Sequence, residues 1–224
     1  MAAFLFIIFE IMIWLTEKLE FPSPETTSEE GVIALGGDLS VERLMLAYKN
    51  GIFPWFSEGE PIVWYCPQER MVLFPNDLRV SKSMRKIIKK NNFKITENTA
   101  FNEVIFNCKH IIRNDDFGTW ITDDMEQAYI NLHNKGIAKS IEVWFYNLET
   151  KKHVLVGGLY GVDLGNGVFC GESMFSLMPN ASKLAFIHLV RNYNYKLIDC
   201  QVYNDHLASL GAKEITRPTF LEML

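Results

Sequence analysis

The sequence lacks the arrangements through which cysteine builds scaffolds or metal sites. Its four cysteines, Cys66, Cys108, Cys170 and Cys200, form no C-x-x-C pair, and no histidine stands at zinc-finger spacing from any of them. Disulfide scaffolding and metal binding are therefore unsupported, and scattered reduced thiols suit a cytoplasmic protein. Positive charge is not in excess: 22 Lys and Arg stand against 27 Asp and Glu in 224 residues, a net charge of −5. Any nucleic-acid contact must then come from a local patch. There is no internal repeat or low-complexity tract, and 48% hydrophobic against 22% charged residues excludes a disordered polymer.

Long apolar runs are missing as well. Residues 4–15 are apolar apart from Glu10, but fall short of the ~20 residues a bilayer-spanning helix needs. They have no basic segment before them and no small-residue cleavage site after them, so they make a poor signal peptide. No membrane association is expected. Two readings of this segment stay open: an extra buried strand or helix, or upstream sequence ahead of a true start at Met12. The second is favoured, and residues 1–12 are set apart as a non-native extension.

Familiar catalytic signatures are also absent. Ser173 is not in a G-x-S-x-G elbow, because position 175, where the second glycine must stand, is Phe. Gly157, Gly158, Gly161, Gly165 and Gly167 do not make G-x-G-x-x-G ahead of a helix, so a dinucleotide site is unsupported. His133, His188 and His206 show no partner arrangement and read as helix-face or core residues.

The organisation that is present predicts a mixed α/β (α+β) protein. Residues 21–30, with Pro22 and Pro24, read as an extended connector. Ser40 caps a predicted helix with Val41, Leu44, Met45 and Tyr48 on one face, stopped by Gly51. Aromatic loops and short strands follow at 51–56 and 61–65. Residues 67–75 read as the crossing between a small domain at 13–75 and a larger one at 76–224. In the larger domain, helices are predicted at 82–91, from Thr122 to Gly136, and from Pro179 to about Arg191. Met125, Ala128, Tyr129 and Leu132 follow i, i+3, i+4, i+7 spacing in the second of these. Strands are predicted at 141–145 and 154–156 as a hairpin, then at 196–202, with a turn at 163–167.

Three clusters could carry chemistry. Arg79, Lys82, Arg85, Lys86, Lys89, Lys90 and Lys94 place seven basic residues in one short stretch with no acid among them. On a helix, positions 82, 85, 86, 89 and 90 share a side, which suits a phosphate backbone or an ordinary solvated face. Trp55 and Trp120 lie in loops beside turn residues, where a tryptophan is either core or a platform for an unpaired base. Glu172 and Asp199 lie near predicted strand ends among large apolar neighbours, and a carboxylate there must be paired, hydrogen-bonded or protonated. Asp199 and Gln201, two apart on a strand, are expected to project to one side.

Taken in order, residues 36–39 (GGDL), 51–56 (GIFPWF), 118–122 (GTWIT), 171–176 (GESMFS), 180–183 (NASK), 197–201 (LIDCQ) and 209–212 (SLGA) resemble the leucyl/phenylalanyl-tRNA–protein transferase family. The resemblance runs from about Ile13 to the carboxyl end. It implies a small amino-terminal domain joined to a larger acetyltransferase-like (GNAT-type) domain with a mixed sheet. It implies transfer of Leu or Phe, and sometimes Met, from aminoacyl-tRNA to a protein beginning with Arg or Lys. Such transfer marks that protein for N-end rule degradation. It also implies a monomer and no cofactor.

The resemblance extends to roles. Asp199 and Gln201 match the catalytic positions, with Gln201 Oε1 accepting from the attacking amine and Asp199 orienting it. Glu172 matches a polar contact to the incoming basic residue or to the aminoacyl adenosine. Leu159, Phe169, Met174 and Leu189 match the apolar pocket for the migrating side chain, although Met and Phe occur in other members where Leu159 and Leu189 stand here. Trp55 and Trp120 match aromatics that frame the 3′-terminal adenosine, and the basic stretch matches a surface for the acceptor stem. Residues 64–67 (WYCP) depart from the family's usual second Trp and Ser. Two rival readings remain: an N-acyltransferase using acyl-CoA, which would need a glycine-rich phosphate loop, and a non-enzymatic RNA-binding module.

Overall fold

Residues 155–162 (LVGGLYGV) are buried without a break. A strand that hides both faces needs a layer on each side of its sheet, and that requirement organises the larger part of the chain. The computed structural model describes residues 13–111 and 119–224. The expected extension at 1–12 and Gly118 of the Trp120 segment lie outside the described residues.

The chain divides into two units, residues 1–69 with 216–224, and residues 70–215. The first carries a four-stranded sheet, with strands β1 (Trp14–Leu15), β2 (Val32–Gly36), β3 (Phe53–Pro54) and β4 (Val63–Tyr65) in the order β1-β2-β4-β3. Helix α1 (Val41–Lys49) follows β2, and the Ser40 hydroxyl caps it by accepting from Arg43 N at 3.3 Å. Leu44 and Tyr48 are buried as the periodicity predicts, but Arg43 and Ala47 share that face while Val41 and Met45 are only half-buried. Arg43 tolerates burial because its guanidinium donates to Asp38 Oδ2 (3.0 Å), Thr16 O (2.8 Å) and Lys18 O (3.1 Å). The carboxyl-terminal helix Arg217–Leu221 belongs to this unit: Arg217 donates from its backbone to Gln68 O and from Nη1 to Cys66 O.

The second unit holds a seven-stranded mixed sheet. Its strands are β5 (Glu69–Leu73), β6 (Phe93–Glu97), β7 (Ala138–Asn147), β8 (Lys152–Asp163), β9 (Val168–Ser176), β10 (Leu197–Gln201) and β11 (Lys213–Thr216). The order is β11-β5-β10-β9-β8-β7-β6, with β9 and β10 parallel. Membership of β5 in this sheet, through Leu73 opposite Ile198, is why the unit begins near residue 70, ahead of the expected boundary at 75. Its helices are α2 (Lys82–Lys90), α3 (Phe101–His110), α4 (Asp123–Asn134), α5 (Ala181–Asn192) and α6 (Asp205–Ser209).

Two adjacent glycines show the layering. A Cβ on Gly157 would overlap Ala181 of α5, whereas one on Gly158 would meet Val104 of α3 at 3.3 Å and Ile141 O at 2.7 Å. Successive strand residues point to opposite faces, so α5 and α3 cover opposite sides of β8 and press close to it. On the α5 side, Leu184, Ile187 and Leu189 join Met84 of α2, Leu159, Phe169 and Ile198 in one apolar cluster. The Thr122 cap forms as predicted, its hydroxyl accepting from Met125 N at 3.2 Å. The hairpin of β7 and β8 is longer than its predicted strands, because glycine and polar positions inside it are carried by ladder pairing.

Candidate active site

The candidate site forms where two parallel strands part. Their last paired residues are Asp199 and Cys170; β10 then ends at Gln201, while β9 continues to Ser176. Glu172 lies just past that point on β9. The Gln201 Nε2 donates to Glu172 Oε1 at 2.9 Å, and the Tyr129 hydroxyl of α4 donates to Glu172 Oε2 at 2.7 Å. An ionised carboxylate only accepts, so Glu172 fixes which end of the Gln201 carbamoyl faces it and turns Oε1 away.

Asp199 is fully buried. Its carboxylate meets the guanidinium of Arg70 on β5 in a two-pronged ion pair, Nε to Oδ1 at 2.8 Å and Nη2 to Oδ2 at 2.7 Å. Oδ1 also accepts from the backbone N–H of Gln201 at 2.9 Å. The simple alternation expected for Asp199 and Gln201 does not hold. The register against β5 shifts between them, and Gln201 has φ +63°, the left-handed region. The side chains diverge: Asp199 goes inward to Arg70, and the Gln201 amide crosses to β9.

Two thiols flank this carboxylate. Burial, reinforced by the charge on Asp199, pushes both the Cys170 and Cys200 thiols well up. Neither is a thiolate nucleophile at neutral pH.

The remaining expected residues are distributed as follows. Leu159, Phe169 and Leu189 are each under 4% exposed within the apolar cluster, and Met174 sits half-buried at its margin opposite Leu159. Trp120 is half-buried in the segment leading to Thr122. Trp55, in the first unit, is 43% exposed and tilts against Tyr65 with ring centroids 5.8 Å apart. Arg79, Lys82, Arg85, Lys86, Lys89 and Lys90 line the exposed side of the basic stretch, with Lys86 at the middle of α2 and Lys89 in its last turn. Lys94 falls on β6 rather than on the helix, because Asn91 adopts the left-handed conformation and ends α2.

A groove of about 140 Å³ lies between α2, β6 and α5, lined by Ile87, Phe93, Ile95, Leu184, Ile187 and Arg191 among others, and contains none of the expected site residues. His188, expected to stand alone, bonds Glu97 Oε1 through Nε2 at 2.7 Å, since β6 brings Glu97 beside α5.

Sequence reading missed Arg70 and the polar role of Tyr129. Arg70 had a signal: it is a lone cation opening the apolar run 71–74 (MVLF), where a buried base must be paired. Tyr129 satisfies its helical face and gives no separate sign of its hydroxyl.

With this geometry, comparison with known proteins is direct. The family profile described as leucyl/phenylalanyl-tRNA protein transferase matches residues 72–224, and that of its N-terminal domain matches residues 37–68. The chain belongs to the leucyl/phenylalanyl-tRNA–protein transferase family. A curated member of that name from Flavobacterium johnsoniae is 58% identical over 216 residues, 95% of this chain and 99% of that protein. Another, from Yersinia enterocolitica, is 50% identical over 214 residues, 93% of this chain and 86% of that protein. As a member of the leucyl/phenylalanyl-tRNA–protein transferase family, the chain is an aminoacyltransferase. Solved structures with partial likeness include "Crystal structure of FemX" (TM-score 0.47, 11% identity, 82% of this chain and 71% of that one). A GCN5-related N-acetyltransferase from Kribbella flavida has a TM-score of 0.36 at 9% identity, covering 75% of this chain and 58% of that one. The mixed α/β class read from the sequence matches the structure. Among the described residues, no helix is long and apolar enough to cross a membrane.

Proposed function

We infer that this aminoacyltransferase is cytoplasmic and moves Leu or Phe, and with them Met, from aminoacyl-tRNA onto the amino terminus of a protein beginning with Arg or Lys. The product would enter N-end rule degradation. The observation that carries the reading is the bonded pair Gln201–Glu172 at the strand fork. The ester of aminoacyl-tRNA is already activated, so no covalent enzyme intermediate is needed. The acceptor's neutral α-amine attacks the ester carbonyl, the new C–N bond forms, and the C–O bond to the terminal ribose breaks. The nitrogen's surplus proton ends on the leaving hydroxyl.

The residues supply position more than basicity. Gln201 Oε1, aimed away from Glu172, accepts one N–H of the attacking amine and orients its lone pair. Glutamine is too weak a base to take that proton outright. The Glu172 charge holds Gln201 and favours a cationic acceptor end. Gln201 is the group of this reading that touches the reacting amine, and Asp199, bonded to the Gln201 N–H, supports it. Met174, at the margin of the cluster holding Leu159, Phe169 and Leu189, faces the migrating side chain, and such a wall discriminates by only ~1–3 kcal/mol per methylene. Within the second unit, Trp120 offers a stacking face for the terminal adenosine, and the exposed bases of α2 serve the acceptor-stem phosphates. The protein acts as a monomer without a cofactor.

The test is incubation of the purified protein with labelled Phe-tRNA, acetyl-CoA and a peptide beginning with Arg. Label on the peptide is the expected result. Acetylated peptide, or tRNA retained with no transfer, would overturn it in favour of an N-acyltransferase or an RNA-binding module.

A further inference from the structure

We propose that Arg70 is a positioning residue for the transfer reaction, and that Asp199 acts through the main chain of Gln201 rather than on the attacking amine. Arg70 is 2% exposed and Asp199 is fully buried. Every oxygen of the Asp199 carboxylate is engaged, Oδ2 by Arg70 Nη2 and Oδ1 by both Arg70 Nε and the Gln201 N–H. A carboxylate enclosed in this way offers no face to a substrate amine. What it does hold is the backbone of Gln201.

That backbone sits where an L residue rarely rests, at φ +63°. The unusual conformation takes the chain out of β10 and sends the carbamoyl across to Glu172 on β9. Without the bond from Gln201 N–H to Asp199 Oδ1, the residue would relax toward extended strand and its side chain would leave Glu172. The Asp199 oxygen is in turn aimed by the guanidinium fork, which fixes both oxygens in one plane. The order of dependence is therefore Arg70, Asp199, Gln201 main chain, Gln201 amide, Glu172.

An ammonium cannot replace the fork. Lysine carries the charge but makes one directional contact, so it leaves the carboxylate free to rotate. Nor does the pair read as a device for stability alone, since buried ion pairs are commonly matched or bettered by apolar pairs of similar size. Its geometric product is the orientation of Gln201.

This inference rests on the reading that Gln201 and Glu172 form the reaction centre, and the experiment separates the two. R70K and Q201A are compared with the unaltered protein in transfer of Phe from Phe-tRNA to a peptide beginning with Arg, alongside amide hydrogen exchange at Gln201. Expected for R70K is a kcat lower by about 100-fold, an unchanged KM for Phe-tRNA, and faster exchange at Gln201 than in the unaltered protein. Folded R70K with full kcat, while Q201A is slow, overturns the role of Arg70 and leaves the reaction centre intact. Q201A with full kcat overturns the reaction centre itself. If R70K does not fold, exchange in the unaltered protein decides: protection at Gln201 supports the proposal, and exchange at the rate of an open chain refutes it.

Discussion

The Gln201 amide and the Glu172 carboxylate, on neighbouring parallel strands, meet at 2.9 Å just past the point where those strands stop pairing. The bond ties the end of β10 to β9 across the gap where ladder pairing has stopped. Activity should therefore respond to both partners.

If Gln201 Oε1 accepts from the attacking amine as proposed, Q201A should slow transfer by about 10²-fold with little change in retention of tRNA on a filter. E172Q retains the shape but loses the anion that selects the Gln201 orientation, so it should lower kcat in the same direction. Single-turnover assays with preformed Phe-tRNA measure both.

Y129F removes a buried hydroxyl that donates to Glu172 Oε2 at 2.7 Å. A hydrogen bond to a charged group is worth about 1.5–3 kcal/mol, so the variant should unfold at lower urea concentration with an unchanged m-value. Its transfer rate should fall less than that of Q201A, because Gln201 keeps its bond to Glu172.

Charge reversal on α2 tests the basic face. K86E and K89E change side chains on the solvent side of the helix. Binding of tRNA should weaken, and the slope of log affinity against log salt should become shallower by about 1 for each phosphate no longer neutralised. The thermal midpoint should stay where it is.

His206 gives a dependence on pH. Burial, with the positive charge of Lys183 adding to it, holds the His206 imidazole below its ordinary value. The folded chain then binds fewer protons than the unfolded one in that range. The contribution of this residue to stability is fully present above about pH 6.5 and is lost as pH falls through the folded value. H206Q should flatten this part of the curve of urea midpoint against pH, measured from about pH 7.5 to 5.

Gly157 marks where α5 seats on the sheet, since a Cβ there would overlap Ala181. G157A should destabilise by about 1–3 kcal/mol through overpacking, read as a lower urea midpoint. It acts on helix placement and not on the Gln201–Glu172 bond.

The sequence by itself determined the local elements and the family to which the chain belongs. The Thr122 cap and the apolar spacing of α4 are local, set by neighbours three or four residues away, and so they could be read directly. The blocks around Glu172, Asp199 and Gln201 likewise carried the family in their own letters. Tertiary structure alone decided which groups touch. Arg70 and Asp199 are 129 positions apart and Tyr129 and Glu172 are 43 apart, separations over which no periodicity operates. The left-handed turn at Gln201 was equally hidden, because strand alternation presumes an unbroken ladder. A bulge is chosen by the neighbouring strand and the buried ion pair beneath it, and both exist only once the sheet has formed.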